Sequence, residues 1–196
     1  MNKIIVVSAG HKPQSATENL ATEITASLDS KAGCTVTSHL ALSTWGTAIA
    51  AGLVTCDLSA ELEAIRDDLG SAEGIVVVTP VHHASYSALF KAFFDQLPRG
   101  LLAGIPTLMA ASGGSGRDAL ILDMALRPYL AALRMLVTPT GVMVAPEDRS
   151  PQGQLLPSVS DRIDRATAEF LALLGHRSNR LKSDCSSVSN AVGMAC

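Results

Sequence analysis

Short, continuously apolar runs separated by stretches of helical periodicity constrain this chain more than any other feature. Ile4-Ile5-Val6-Val7 and Gly74-Ile75-Val76-Val77-Val78 carry no polar residue, as strands covered on both faces by helices must. Thr107-Leu108-Met109-Ala110-Ala111 and Val142-Met143-Val144 read the same way, and Cys34-Thr35-Val36-Thr37 is a weaker candidate, which makes five expected strands. Between them Leu20, Ile24 and Leu28 recur at helical spacing, as do Leu58, Leu62, Ile65 and Leu69, then Leu89, Phe93 and Leu97, and finally Ile163, Ala166, Phe170 and Leu174. Each set forms one apolar stripe. The alternation predicts an α/β fold, a doubly wound parallel sheet with helices on both faces and ligands bound beyond the carboxyl ends of its strands. Function is expected in the segments that follow Val7, Val78 and Ala111.

The chain has 196 residues, 47% of them hydrophobic, enough for one domain with a sizeable core. Its net charge of -3 and the lack of any long run of one sign give no footprint for nucleic acid or anionic lipid. The opening MNKIIVVSAG is too briefly apolar for a signal peptide or a membrane span, and a cytoplasmic protein is expected. Cys34, Cys56, Cys185 and Cys196 are scattered without metal-ligand spacing and read as free thiols. The last helix should stop at Gly175. That divides the chain into a domain over 1–175 and a serine-rich tail over 176–196, which is expected to be disordered. Leu42 to Thr55 reads as a long connection holding the only tryptophan, Trp45.

Three loops fall at expected strand ends. In the first, Ser8 to Thr17, hydroxyls and small residues precede a helix whose N-terminus favours an anion. Ser15-Ala16-Thr17-Glu18 equally fits a capping box. The loop matches neither G-x-G-x-x-G nor G-x-x-x-x-G-K-[ST], which argues against a dinucleotide fold of that type and a P-loop, and suits a monophosphate. In the second, Pro80 is expected to end the strand, with His82 and His83 following and a helix starting near Ser85 or Ser87. The remaining histidines, His11, His39 and His176, supply no zinc motif, so no metal is expected. A general base and a plain solvent-exposed turn both remain open for the pair. In the third, Ala111-Ser112-Gly113-Gly114-Ser115-Gly116-Arg117, glycines let the backbone approach a flat ligand.

Thr79-Pro80-Val81-His82-His83-Ala84-Ser85-Tyr86-Ser87-Ala88-Leu89-Phe90-Lys91 is similar to the T-P-V-Y-x-x-S-Y-S-G-x-x-K segment of the NAD(P)H-dependent FMN reductases, within the flavodoxin-like superfamily. Leu101 to Pro106, Ser112-Gly113-Gly114 and Ala125-Leu126-Arg127-Pro128 resemble later blocks of the branch that supplies reduced flavin to monooxygenases, in order, and the likeness runs from Lys3 to Leu174. The resemblance implies a flavodoxin-like fold, FMN as cofactor and NADPH or NADH as co-substrate. It implies that Ser8, Ser15 and Thr17 hold the phosphate, that Pro80, Val81, His82 and His83 line the isoalloxazine ring, and that Ser112, Gly113 and Gly114 lie at its pyrimidine end. The arginine many relatives carry in the first loop is missing, with Lys12 or His11 left to replace its charge. His82 stands where tyrosine is usual. Arg117 is the candidate contact for a nicotinamide nucleotide phosphate. No acid–base residue is required, because the cofactor carries the hydride chemistry.

The resemblance further implies a homodimer or homotetramer and a partner monooxygenase. An FMN-retaining quinone or azo reductase, and a non-enzymatic electron carrier of the flavodoxin type, are the alternatives. Met124 falls where some relatives insert an aromatic residue or a histidine in a helix. Its residue type alone reads as core, while the resemblance implies a helix at an oligomer interface near the flavin where Met124 would serve packing, and Pro128 is expected to kink that helix.

Overall fold

The structure is a computed structural model that describes residues 3–31 and 35–192, with side chains as far as Arg177. The elements in chain order are β1 (Ile4–Ser8), α1 (Ala16–Asp29), β2 (Val36–Ala41), α2 (Gly46–Thr55), α3 (Ala60–Gly70), β3 (Gly74–His82), β4 (Ser85–Tyr86), α4 (Ala88–Asp95), β5 (Pro106–Ser112), α5 (Arg127–Ala132), β6 (Leu136–Val137), β7 (Val142–Val144) and α6 (Pro157–Val192). The sheet runs β2-β1-β3-β5-β6, with β7 also on β5 and β4 on β3. Every pairing along this path, and that of β7, is parallel. The order reverses between β1 and β3: the chain leaves β1 for β2 on one side and comes back to β3 on the other. Such a switch point opens a crevice above the carboxyl ends of the two strands.

The strand period of two sorts the apolar runs onto two cores. Ile5, Val7, Ile75, Val77, Met109 and Ala111 face α3, α4 and the segment leading into α5, where Phe90, Phe93 and Phe94 fill the space. Ile4, Val6, Val76, Val78, Leu108 and Ala110 face α1 and α6. Ser15, Ser59 and Ser87 cap α1, α3 and α4, each side chain accepting a backbone N–H of the first turn.

Several expectations are corrected. The sheet has seven strands rather than five. The last position on β5 is shared by β6 and β7, interrupted around Pro139 and Gly141, and β4 adds a short antiparallel hairpin. Pro80 does not end β3, which continues to His82. There β1 has already stopped, at Ser8 opposite Val78, and Pro80 pairs only with Ser112 on β5, so its missing N–H leaves no ladder bond unmade. Residues 42–55 form a 3₁₀ turn (Leu42–Trp45) and then α2, not a loop. The last helix passes through Gly175 to Val192. Residues 193–196 of the tail, with Cys196, lie outside the described residues, as does Cys34, and so do the side chains from 178 onward, including that of Cys185. Cys56 is a free, exposed thiol.

Met124 is not a core residue. It is 77% exposed and sits in a π turn, Leu122–Leu126, in which Arg127 donates its N–H to the Leu122 carbonyl five residues back. Pro128 follows in the first turn of α5. A proline has no N–H to donate, and the widened turn before it absorbs the mismatch that would otherwise kink a helix interior. Arg127 donates to Asp123 and to the carbonyls of Thr138 and Pro139, tying this turn to the break between β6 and β7.

Candidate functional site

A cavity of about 250 Å³ opens at the switch point and draws on all three loops. The first contributes His11, Lys12, Ser15, Ala16 and Thr17, the second Pro80, Val81 and His82, and the third Ser112 and Gly113. Ser8, His83, Gly114 and Arg117 stand outside this lining. Ser8 is fully buried beneath the first loop, where its hydroxyl donates to Glu18 Oε2 at 2.8 Å and meets His39 Nε2 at 2.9 Å. Arg117 is exposed on a 3₁₀ turn, Gly116–Leu120.

The first loop is built around the start of α1. Ser15 Oγ accepts the N–H of Glu18, and the Ser15 carbonyl accepts that of Asn19. Helix geometry leaves the amides of Ala16 and Thr17 without an intrahelical acceptor, at the positive end of the helix dipole. Only half of the expected capping box forms, because the Glu18 carboxyl turns inward to Ser8 instead of back to Ser15. Its other oxygen, Oε1, is buried with no partner among the described residues. A Cβ on Gly10 would fall 2.5 Å from Ser15 Oγ and 3.0 Å from Glu18 Oε1, so any larger residue would have to displace the cap or the carboxyl.

The second loop is a tight hairpin. Val81 pairs with Tyr86 and His82 with Ser85, and the two residues between, His83 and Ala84, have φ of 49° and 58°. Paired left-handed residues make the turn whose twist matches its strands, although neither is the glycine or asparagine such turns favour. His82 is thereby held at the end of β3, its ring within 16° of parallel to that of His11 and the centroids 4.6 Å apart. Burial, and then the neighbouring His11 and His83, push the His82 imidazole below its ordinary pKa.

The third loop is held by carboxylates that composition alone does not single out. Gly113 donates to the Val144 carbonyl, Gly114 and Ser115 to Asp118 Oδ2, and Gly116 to Glu147 Oε1 at 2.6 Å. The bond from Gly116 holds Glu147 below the usual carboxylate range. The N–H groups expected to face a reduced flavin thus have acceptors within the loop and its neighbours. Ser112 reaches the opposite way, its hydroxyl 2.8 Å from that of Thr17. Two hydroxyls in contact use one proton between them and leave the second free to donate.

The cavity fits a phosphorylated flavin in its donor set. It has helix-terminal amides, the hydroxyls of Ser15 and Thr17 and a lysine on one side, and the apolar surfaces of Pro80 and Val81 on the other. Among the described residues no group of three or more His, Cys, Asp or Glu side chains could hold a metal ion.

The family profile described as NADPH-dependent FMN reductase matches residues 2–149. The chain belongs to that family. An FMN reductase (NADPH) from Pseudomonas aeruginosa is 36% identical over 123 residues, covering 63% of this chain. The chain spans just under two thirds of that relative's length, 66%. The NADH-dependent FMN reductase SfnF of Pseudomonas putida is 29% identical over 163 residues, 83% of this chain and 88% of its own. An oxidoreductase from Corynebacterium diphtheriae superposes with a TM-score of 0.81 at 38% identity, covering 90% of this chain and 98% of that one.

Asp118 and Glu147 were not singled out from the sequence, which read Glu18 only as a capping-box acid and His39 only as a histidine outside any zinc motif. Their one legible signal is position, since each lies in or beside a segment at the carboxyl end of a strand.

Proposed function

We propose that this chain transfers a hydride from NADPH or NADH to FMN bound in the cleft above β1, β3 and β5, and releases reduced FMN to a partner such as a flavin-dependent monooxygenase. The observation that carries the proposal is the meeting of three loops at one switch point, bridged by Thr17 with Ser112 and by His11 with His82, in a chain of the FMN reductase family. When bound, FMN supplies the hydride acceptor and the means of passing electrons on. The protein's part is to bind and orient. The amides of Ala16 and Thr17, the hydroxyls of Ser15 and Thr17, and Lys12 hold the phosphate. Pro80, Val81 and His82 form the wall for the ring, and Ser112 and Gly113 its far edge. Ser8 acts from below by fixing Glu18 and so the bend of the first loop, and His83 acts by setting the hairpin. Gly114 and Arg117 lie at the outer rim, where Arg117 meets the phosphate of the nicotinamide nucleotide.

Exposed Leu120 (73%) and Met124 (77%) support a homodimer or homotetramer joined near the π turn. Among the described residues no helix is long and apolar enough to cross a membrane. Steady-state oxidation of NADPH and NADH, each with FMN, FAD and riboflavin, tests the proposal. Acceleration by FMN is expected, and its absence with both nucleotides would sink the reading. Flavin that stays bound through gel filtration, with turnover only when a quinone is added, would replace release by retention.

A further inference from the structure

The first and second loops meet at two imidazoles, and the proposed chemistry makes no use of their contact. His11 and His82 are 71 positions apart, yet their Nε2 atoms lie 2.6 Å from each other and both rings line the cleft. A contact between two Nε2 atoms holds one proton, one nitrogen donating and the other accepting through its lone pair. The pair can therefore be neutral or singly charged. A second charge sets two N–H groups face to face and breaks the contact.

The surroundings oppose that second charge. His83 follows in the same turn, Lys12 follows His11 in its loop, and Tyr86 sits across the hairpin from Val81. The acids of the three loops are engaged elsewhere: Glu18 with Ser8 and His39, Asp118 with Gly114 and Ser115, Glu147 with Gly116. The loop that meets the phosphate carries no arginine.

We propose that His11 and His82 form a proton-linked clasp across the cleft, closed by one shared proton in the free protein and parted when the FMN phosphate enters, with uptake of a proton from solvent. The inference rests on the flavin reading of the cleft. On binding, the N–H···N bond breaks and the proton adds to the nitrogen that had been accepting; His11, in the loop that holds the phosphate, then donates toward it, while His82 keeps its own N–H at the wall of the ring. A dianion beside the pair favours the charged form, so the imidazolium adds to Lys12 the counter-charge that no arginine provides in this loop. Riboflavin, without a phosphate, has no such coupling.

Calorimetric titration of the whole chain with FMN and with riboflavin, at about pH 7.5 in two buffers of different ionisation enthalpy, counts the protons taken up. Uptake on the order of half a proton to one proton per FMN is expected, and close to none per riboflavin. In H11Q and in H82Q the uptake with FMN should vanish. The ratio of FMN to riboflavin affinity should rise several-fold from about pH 8.5 to about pH 7 in the native chain and stay flat in both variants. His11 lies in an exposed loop, so H11Q keeps the test intact if H82Q folds poorly. FMN binding without proton uptake, or with uptake unchanged in the variants, overturns the clasp and leaves the flavin reading standing. Failure of the native chain to bind either flavin overturns both.

Discussion

Ser15 has two duties that one substitution separates. Its hydroxyl caps α1 through Glu18 N–H and lines the cleft. Ser15→Ala should lower stability by about 1 kcal/mol through the lost cap, measured by denaturant unfolding. It should also weaken FMN by roughly tenfold, the worth of one charge-assisted hydrogen bond, while sparing riboflavin. An equal loss for both flavins would remove the hydroxyl from the phosphate site.

His82 carries a pH signature of its own. Its folded-state pKa lies below the unfolded value near 6.5, so over that interval the unfolded chain binds more protons. Stability then rises with pH. The penalty is absent above about pH 6.5 and grows as pH falls toward the lowered pKa. Flavin-free H82Q should lose this part of the acid sensitivity when melting temperatures are compared across that window. At this scale the sequence showed that histidines stand at a strand end and hydroxyls at a helix start. It could not show that His82 finds His11, or that Glu18 turns inward to Ser8, because those contacts join residues that only the fold brings together.

Among the elements, the β3–β4 hairpin stores strain. Ala84 holds φ 58°, a region costly for any residue with a Cβ. Ala84→Gly should raise stability by about 0.5 to 1 kcal/mol, read as an upward shift of the unfolding midpoint. Gly74, at the start of β3, presents the opposite case. An added methyl would sit 2.6 Å from Phe170 Cζ and 2.8 Å from Leu174 Cδ2. Gly74→Ala should therefore cost about 1 to 3 kcal/mol by prising α6 from the sheet. The long β-branched strands were legible because burial on both faces leaves no polar residue in them. Pro80 misled because its effect depends on which neighbour is present at that height of the sheet. The π turn escaped because a displaced backbone bond leaves no trace in apolar spacing, and α2 because its residues carry no strong stripe.

For the molecule as a whole, the two cores are filled from different parts of the chain. Phe170 is fully buried in the core under α1 and α6, and Phe170→Ala should cost about 3 to 5 kcal/mol in equilibrium unfolding. The last described contact of α6 with the body is Arg177, whose guanidinium donates to the carbonyls of Ala72 and Glu73. A chain ending at Arg177 keeps every described core contact and should melt within about 2 °C of the full chain. A larger drop would show that the segment beyond contributes to folding. The fold class was legible at this scale because alternation of strand and helix is a property of the entire chain. The allocation of α6 and α1 to one face and α3 and α4 to the other was not, since any stripe could cover either side.

That allocation has a cost during synthesis. Val159, Ile163, Ala166, Phe170 and Leu174 are made after every strand they cover, so side chains of β1, β3 and β5 wait for them. Until they emerge from the ribosome, half of an otherwise finished layer stays bare and sticky, the natural target of a chaperone that holds nascent chains. Ribosome-bound intermediates stalled before residue 157 should bind such a factor, and those released past Leu174 should not.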